Sequence, residues 1–424
     1  MYKFALSTFG AKVLTSLVNF ILIVIASHYL GASAVGEISL LLLTVAIVVM
    51  VSFLVGGSAI VYLTPRYNIF QILLVTYSWT LIVTLLTYII LSNTEIIDKA
   101  FITHIVILSF IASIFSIHFN ILLGNEKIHQ VNLLSITNVI IILLVFSFLI
   151  FVKKQLDVWS YIAGMYFAYF IILFWSWYFL FKLPIKNKTE KHGNILKDLL
   201  KYGVLLQFAN ISLLLNYRGG YYFVEHFYNK ASLGVYSVGN QLVEVSWMIS
   251  RSFSTVLYAR VSNLKNDKDH KKAQYYVLSF FKAVFIITFG ILLVLIFFPE
   301  KGYIFIFGKE FIMVKDIIIA LSPGILLFSV SRILGVFFSG TGRALHFSLG
   351  TFISLFILGI LLYLWVPQFG IIGAAWATSI SYFFLFIYYI TLFIYYTQSK
   401  LKDFLVSKQD LKLFIKETKK IFNT

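Results

Sequence analysis

Cysteine is absent from the 424 residues. Disulfides and thiolate metal sites are thereby excluded. Only 5 prolines and 24 glycines punctuate the chain, leaving little material for a loop-rich domain. Charge is scarce too: 12% of residues are Asp, Glu, Lys or Arg, about half the share usual in soluble domains. Apolar residues, by contrast, make up 60% of the chain, and mean hydropathy is +0.92. A water-soluble fold of this size could not bury so much apolar surface. The composition therefore specifies an all-α integral membrane protein. No cleaved signal peptide is expected, because the first apolar run, 13–29, is too long for a signal h-region and no small-residue cleavage pattern follows it.

A helix needs about 20 apolar residues to cross some 30 Å of hydrocarbon. Stretches free of formal charge mark six spans in the first half: 13–36, 38–65, 67–94, 100–125, 128–152 and 158–181. The second half carries charges inside its spans. A seventh at 199–223 holds Lys201 and Arg218, and an eighth at 232–258 holds Glu244 and Arg251. A ninth at 275–298 holds Lys282, and a tenth at 317–340 holds Arg332. Residues 344–399 suffice for two more, divided at the turn signal Val366-Pro367-Gln368-Phe369-Gly370. The expected total is about twelve transmembrane helices.

The formal charge of +17 would suggest nucleic acid in a soluble protein. Here it follows topology, since Lys and Arg gather in cytoplasmic connections. With the N-terminus inside, those connections hold Arg66, Lys127, the cluster Lys182, Lys186, Lys188, Lys191 and Lys197, a second cluster from Arg260 to Lys272, and Arg343. With Lys400, Lys402, Lys408, Lys412, Lys416, Lys419 and Lys420 of the tail counted inside, the excess over outward connections is roughly threefold, with Lys153 and Lys154 running against it. Both termini are therefore expected in the cytoplasm. The tail 400–424 mixes Lys with Leu, Phe and Ile at near-helical spacing. It suits either an amphipathic helix on anionic lipid or a solvated end.

An internal repeat is visible. Ala34-Val35-Gly36-Glu37-Ile38-Ser39 lies at the start of span 2, and Ser232-Leu233-Gly234-Val235-Tyr236-Ser237 opens span 8. Leu123-Gly124-Asn125-Glu126-Lys127 closes span 4, and Ser339-Gly340-Thr341-Gly342-Arg343 closes span 10. Both pairs lie six helices apart. The expectation is two parallel six-helix lobes related by a pseudo-twofold axis along the membrane normal, a transporter architecture. The N-lobe would be 1–181, the basic linker 182–197, the C-lobe 198–399 and the tail 400–424.

No catalytic residue emerges. The outward loops are short, no carboxylate pair falls at helical spacing within a span, and no metal-ligand cluster appears. His104 and His118 share span 4 but stand fourteen residues apart. The informative groups are the intramembrane charges, which are costly unless they face a cavity or a partner. Arg218, Arg251, Lys282, Arg332 and Lys12 are the candidate substrate-binding cations. Snorkelling to the headgroups, or pairing of Arg218 with Glu225, is the structural alternative. Glu244 sits too deep to snorkel; it is either half of a structural bridge to Arg218 or Arg251, or a gating or coupling group, with Asn19 of span 1 as a second gating candidate. Gly219, Gly220, Pro323 and Gly324 are candidate hinges, since glycine loosens a helix and proline removes a backbone bond. Deep cations suit an anionic, phosphate-bearing passenger.

Five segments resemble the polysaccharide (O-antigen) flippase family of the multidrug/oligosaccharidyl-lipid/polysaccharide superfamily. They are Leu30 to Ser39; Asn216-Tyr217-Arg218 with Leu233 to Val238 and Glu244; Ile306 to Phe311 with Leu321-Ser322-Pro323-Gly324; Gly340 to Arg343; and Gly370 to Thr378. They follow the family's order over nearly the whole chain. One departure is that Gly219-Gly220 replaces an acidic residue that commonly follows the span-7 arginine. The resemblance implies a V-shaped fold of the multidrug and toxin extrusion (MATE-like) type, working by alternating access in the bacterial cytoplasmic membrane. Its passenger would be a polyprenyl-pyrophosphate-linked oligosaccharide, for O-antigen, capsule or exopolysaccharide synthesis. Membrane lipids and other polysaccharide assembly proteins are the further expected partners, and nucleic acid is not one. No cofactor is expected; an ion gradient or the membrane potential is the candidate driving force. The alternatives are a cation-coupled multidrug-type antiporter, for which Glu244 is the single deep carboxylate, and a membrane polysaccharide polymerase or ligase.

Overall fold

A computed structural model describes residues 2–64, 66–183, 195–262 and 270–405. Among the described residues thirteen α-helices follow in order: α1 (Tyr2–Ser52), α2 (Ser58–Leu63), α3 (Ile69–Ser92), α4 (Lys99–Gly124), α5 (Ile128–Phe151), α6 (Val158–Phe181), α7 (Ile195–Arg218), α8 (Gly220–Phe227), α9 (Lys230–Ser262), α10 (His270–Phe297), α11 (Glu300–Phe307), α12 (Val314–Gly340) and α13 (Ala344–Thr397). Among the described residues there is no strand. Eight helical stretches among the described residues are long and apolar enough to cross a membrane, so this is a multi-pass membrane protein. The backbone polar groups are satisfied within each helix, as hydrocarbon demands. Hydroxyls follow suit: Thr76, Thr80 and Thr84 each donate to the carbonyl four residues back. Asn68, Asp98 and Asp157 cap α3, α4 and α6 by accepting from backbone amides of the first turn.

Two helices are double-length, and each is broken at a glycine. α13 breaks at Gly370 (φ 61°, ψ −145°), within the turn signal that includes Pro367. α1 breaks at Gly31 (φ 81°, ψ 179°), five residues before the boundary expected from Gly36 and Glu37. The charge misplaced that boundary. Glu37 lies inside a helix because Lys230 pairs with it at 2.7 Å, whereas the positive φ at residue 31 needs glycine. The second expected span is also interrupted: a 3-10 turn at Phe53–Val55 and Gly56-Gly57 precede α2. Non-helical backbone at such depth needs protein partners, and the buried Gln207 of α7 donates to the Met50 carbonyl at 2.9 Å.

The chain packs as two compact units. The first comprises 1–235 with Ile306–Glu310; the second comprises 236–305 and 311–424. Within the first, the two repeat glycines meet reciprocally. A Cβ on Gly36 would lie 1.9 Å from the Lys230 carbonyl oxygen, and a Cβ on Gly234 would lie 1.9 Å from the Ala32 carbonyl oxygen. Each glycine thus faces the carbonyl four residues before the other, a twofold relation that only two glycines permit. In the second unit, α12 and α13 form the main core. Gly324 is their point of closest approach, where a Cβ would lie 2.3 Å from Ser379 Cα. Ser379 donates to the Ala320 carbonyl there at 2.6 Å. The basic linker at 184–194 and the tail at 406–424 lie outside the described residues. The tail's first turn, Leu401–Phe404, docks by burying Phe404 against Phe281 and Phe393.

Candidate functional site

The two least apolar long helices are α7 and α9. They carry Arg218, Glu244 and Arg251. At 33 residues α9 is about 50 Å long, some 20 Å more than the hydrocarbon is thick. Glu244 lies near its middle. Asn240, Glu244, Trp247 and Arg251 follow at spacings of four, three and four, which places them on one helix face.

α12 brings Arg332 to this face. Its guanidinium lies over the Trp247 ring, 5.5 Å from the centroid. Trp247 is buried and fixed edge-on by Phe328 at 5.7 Å, and Phe328 in turn packs on Tyr382 at 4.6 Å. A desolvated cation on an indole face gains about 2 kcal/mol, and this offsets part of the cost of a charge in hydrocarbon. Lys282 is half-buried on α10, which packs along α12. Arg251 is exposed at one end of the same stripe.

Arg218, Lys12 and Asn19 belong to the first unit, so each unit contributes candidate cations of its own. Arg218 is the last residue of α7, and its guanidinium stands 5.8 Å from the ring of the fully buried Tyr221. Gly219 keeps helical angles (φ −57°, ψ −33°), and α8 begins at the buried Gly220. Span 7 is thus two helices in near continuity, with the arginine at their junction. Lys12 and Asn19 are both exposed and lie seven residues apart on α1. Pro323 is exposed within an unbroken α12.

Sequence reasoning passed over Trp247, although its place between Glu244 and Arg251 on one face was a usable signal. It named His118 but gave it no role. That residue is fully buried; Nδ1 bonds Ser176 Oγ at 2.6 Å and Nε2 bonds the Tyr77 hydroxyl. Ser176 donates onward to the Leu173 carbonyl at 2.8 Å, so Nδ1 donates to Ser176 and Nε2 accepts from Tyr77. His118 therefore ties α3, α4 and α6 together. His104 bonds Tyr166 of α6 at 3.0 Å. Among the described residues no group of three or more His, Asp or Glu could hold a metal.

Comparison with known proteins places this arrangement. The family described as "Polysaccharide biosynthesis protein" matches residues 70–316, more than half of the chain. A capsular polysaccharide biosynthesis protein, CapF, of Staphylococcus aureus is 28% identical over 229 residues, 53% of this chain. That match spans 56% of the relative, little more than half its length. Among solved structures, a multidrug resistance MATE family transporter of the MOP superfamily superposes with a TM-score of 0.72 at 13% identity, covering 92% of this chain and 97% of its own. The lipid II flippase MurJ superposes with a TM-score of 0.66 at 17% identity, covering 98% and 92%. At such identities the likeness is one of fold, and the fold here is that of these transporters.

Proposed function

Since the chain belongs to the polysaccharide biosynthesis protein family, we propose that it is a flippase. It carries a polyprenyl-pyrophosphate-linked oligosaccharide across the bacterial cytoplasmic membrane by alternating access. The sign of the charge at membrane depth carries this reading: the first unit offers Arg218, and the second offers Arg332, Lys282 and Arg251. Guanidinium and ammonium groups are the usual partners of phosphate. A polyprenyl tail needs no protein pocket, because the bilayer dissolves it. Counting α1 and α13 as two spans each and adding α7 and α9 to the other apolar helices makes twelve spans. The pseudo-repeat of 1–181 and 198–399 is supported by the reciprocal contact of Gly36 and Gly234. No cofactor is required; an ion gradient or the membrane potential supplies the drive, with Glu244 as the coupling or gating group. Both termini lie in the cytoplasm.

A multidrug resistance transporter has the same fold, so the second reading is a cation-coupled drug antiporter. A cationic drug needs carboxylates at depth, and among the candidate site residues Glu244 is the single acid. The decisive experiment is deletion of the gene in its host. Surface polysaccharide should disappear, and lipid-linked repeat units should accumulate in the cytoplasmic leaflet. A deletion strain with normal surface polysaccharide and no accumulated intermediate refutes the proposal.

A further inference from the structure

Ile306–Glu310 belongs to the first unit, while its neighbours Phe305 and Phe311 belong to the second. This short segment is a strap whose two ends are tied elsewhere. Its anchor is chemical. The break at Gly31 leaves Ala32 as the first residue of a new helical stretch, with its N–H unsatisfied from within. Glu310 Oε2 accepts that N–H at 2.6 Å. A carboxylate at a helix N-terminus is held by both the hydrogen bond and the helix dipole. Along the same strap, the buried Phe307 meets Phe20 edge-on at 6.1 Å, and Gly308 (φ 101°) crosses over Ser27.

The strap lands where the first unit is most tightly drawn together. One turn beyond Ala32, Gly36 and Gly234 make their reciprocal contact. Beside them Lys230 Nζ reaches Glu37 at 2.7 Å and Asp98 at 3.7 Å. The same end thus carries a glycine crossing that seals by shape, an ion-pair triad that seals by charge, and a strap held by the buried Phe307 and by the charged hydrogen bond of the exposed Glu310.

We propose that Ile306–Glu310 is a releasable latch. Glu310 holds this end of the first unit shut by capping Ala32, and it leaves that amide when the end opens during transport. The inference rests on the transport reading above, because alternating access requires each end to open in turn. A carboxylate cap is well matched to such a role, since it is directional when made and readily solvated when broken.

The natural absence of cysteine makes the test direct. Ser27 is 3% exposed beneath the strap. In the purified full chain carrying Ser27→Cys, alkylation by N-ethylmaleimide should be slow. Adding Glu310→Ala should raise the rate about tenfold or more, the loss of one charged hydrogen bond. Adding Glu310→Gln, which keeps an acceptor for the Ala32 amide, should raise it less. Equal rates in Ser27→Cys with and without Glu310→Ala overturn the latch. Should Glu310→Ala fail to fold, a second arm decides. In cells carrying Glu37→Cys with Lys230→Cys, a short bis-methanethiosulfonate bridge should stop surface polysaccharide and reduction should restore it. Export that continues across the formed bridge overturns the proposal. The alkylation arm needs no passenger, so a changed rate in a protein whose deletion leaves surface polysaccharide intact would refute the transport reading and not the latch.

Discussion

Arg332 lies over the indole of Trp247, and the two residues sit on different helices of the second unit. The cation is therefore held by a ring that is itself clamped by Phe328. Trp247→Phe keeps a weaker aromatic face and should lower thermal stability slightly, by about 1 kcal/mol. Trp247→Ala adds a cavity and should cost about 3–5 kcal/mol. Arg332→Ala should reduce glycan export at least tenfold with near-normal melting. Melting curves and surface-polysaccharide assays separate the effects; equal export in Arg332→Ala and the native chain would remove Arg332 from the site.

Arg218 stands at the junction of α7 and α8. Arg218→Ala should abolish surface polysaccharide while the protein still inserts, and Arg218→Lys should recover part of it, because a point charge replaces a bidentate fork. Immunoblots of membranes alongside glycan staining decide the matter. Full export in the alanine variant discards the assignment.

Glu244 is the carboxylate of the α9 stripe. Glu244→Gln preserves shape and hydrogen bonding and removes the charge. If the group takes part in gating or coupling, transport should slow several-fold and lose its dependence on the imposed gradient. Flux into proteoliposomes with and without a proton gradient is the measurement; unchanged flux in both leaves Glu244 structural.

Gly36→Ala or Gly234→Ala places a methyl group 1.9 Å from a carbonyl oxygen that cannot yield without moving a helix. Each should destabilise the protein by about 1–3 kcal/mol, the usual cost of overpacking. Size-exclusion survival after heating reads this directly. A native melting point in either variant would show that the helices do not cross there as closely as described.

Lys230 stands at the first residue of α9, outside the hydrocarbon. Partial burial alone would depress its pKa, but the hydrogen bond it donates to Glu37 and the charges of Glu37, Asp98 and Glu225 outweigh that and hold it above its ordinary 10.5. Its contribution to stability is thus full below that ordinary value and is lost as pH rises through the raised one. The native protein should lose melting temperature on strong alkalinisation, and Lys230→Gln should flatten that limb. An identical alkaline profile in both would deny the ion pair any role.

Much of the fold was legible in the residues, because hydrocarbon permits few solutions. Charge-free stretches located α3 to α6 to within a few positions, and Pro367 with Gly370 announced the break in α13. Glu37 misled, because a charge ends a span only when nothing pairs with it, and its partner Lys230 lies 193 residues away. Arg332 was visible as a deep cation, and Trp247 as part of a polar stripe on α9; that the one shelters the other was not, because it shows only when two helices are set side by side. The strap was hidden for the same reason. Ile306-Phe307-Gly308-Lys309-Glu310-Phe311 stood out as a motif, but nothing local says that its carboxylate caps a helix 278 residues earlier.

The borrowed segment also sets an order of events at the ribosome. When the chain has been made as far as Val235, the first unit still lacks Ile306–Glu310, and the amide of Ala32 waits for a carboxylate not yet synthesised. That unit is completed only after α10 and α11 have been made. A chain truncated between them would leave that helix start without its carboxylate cap.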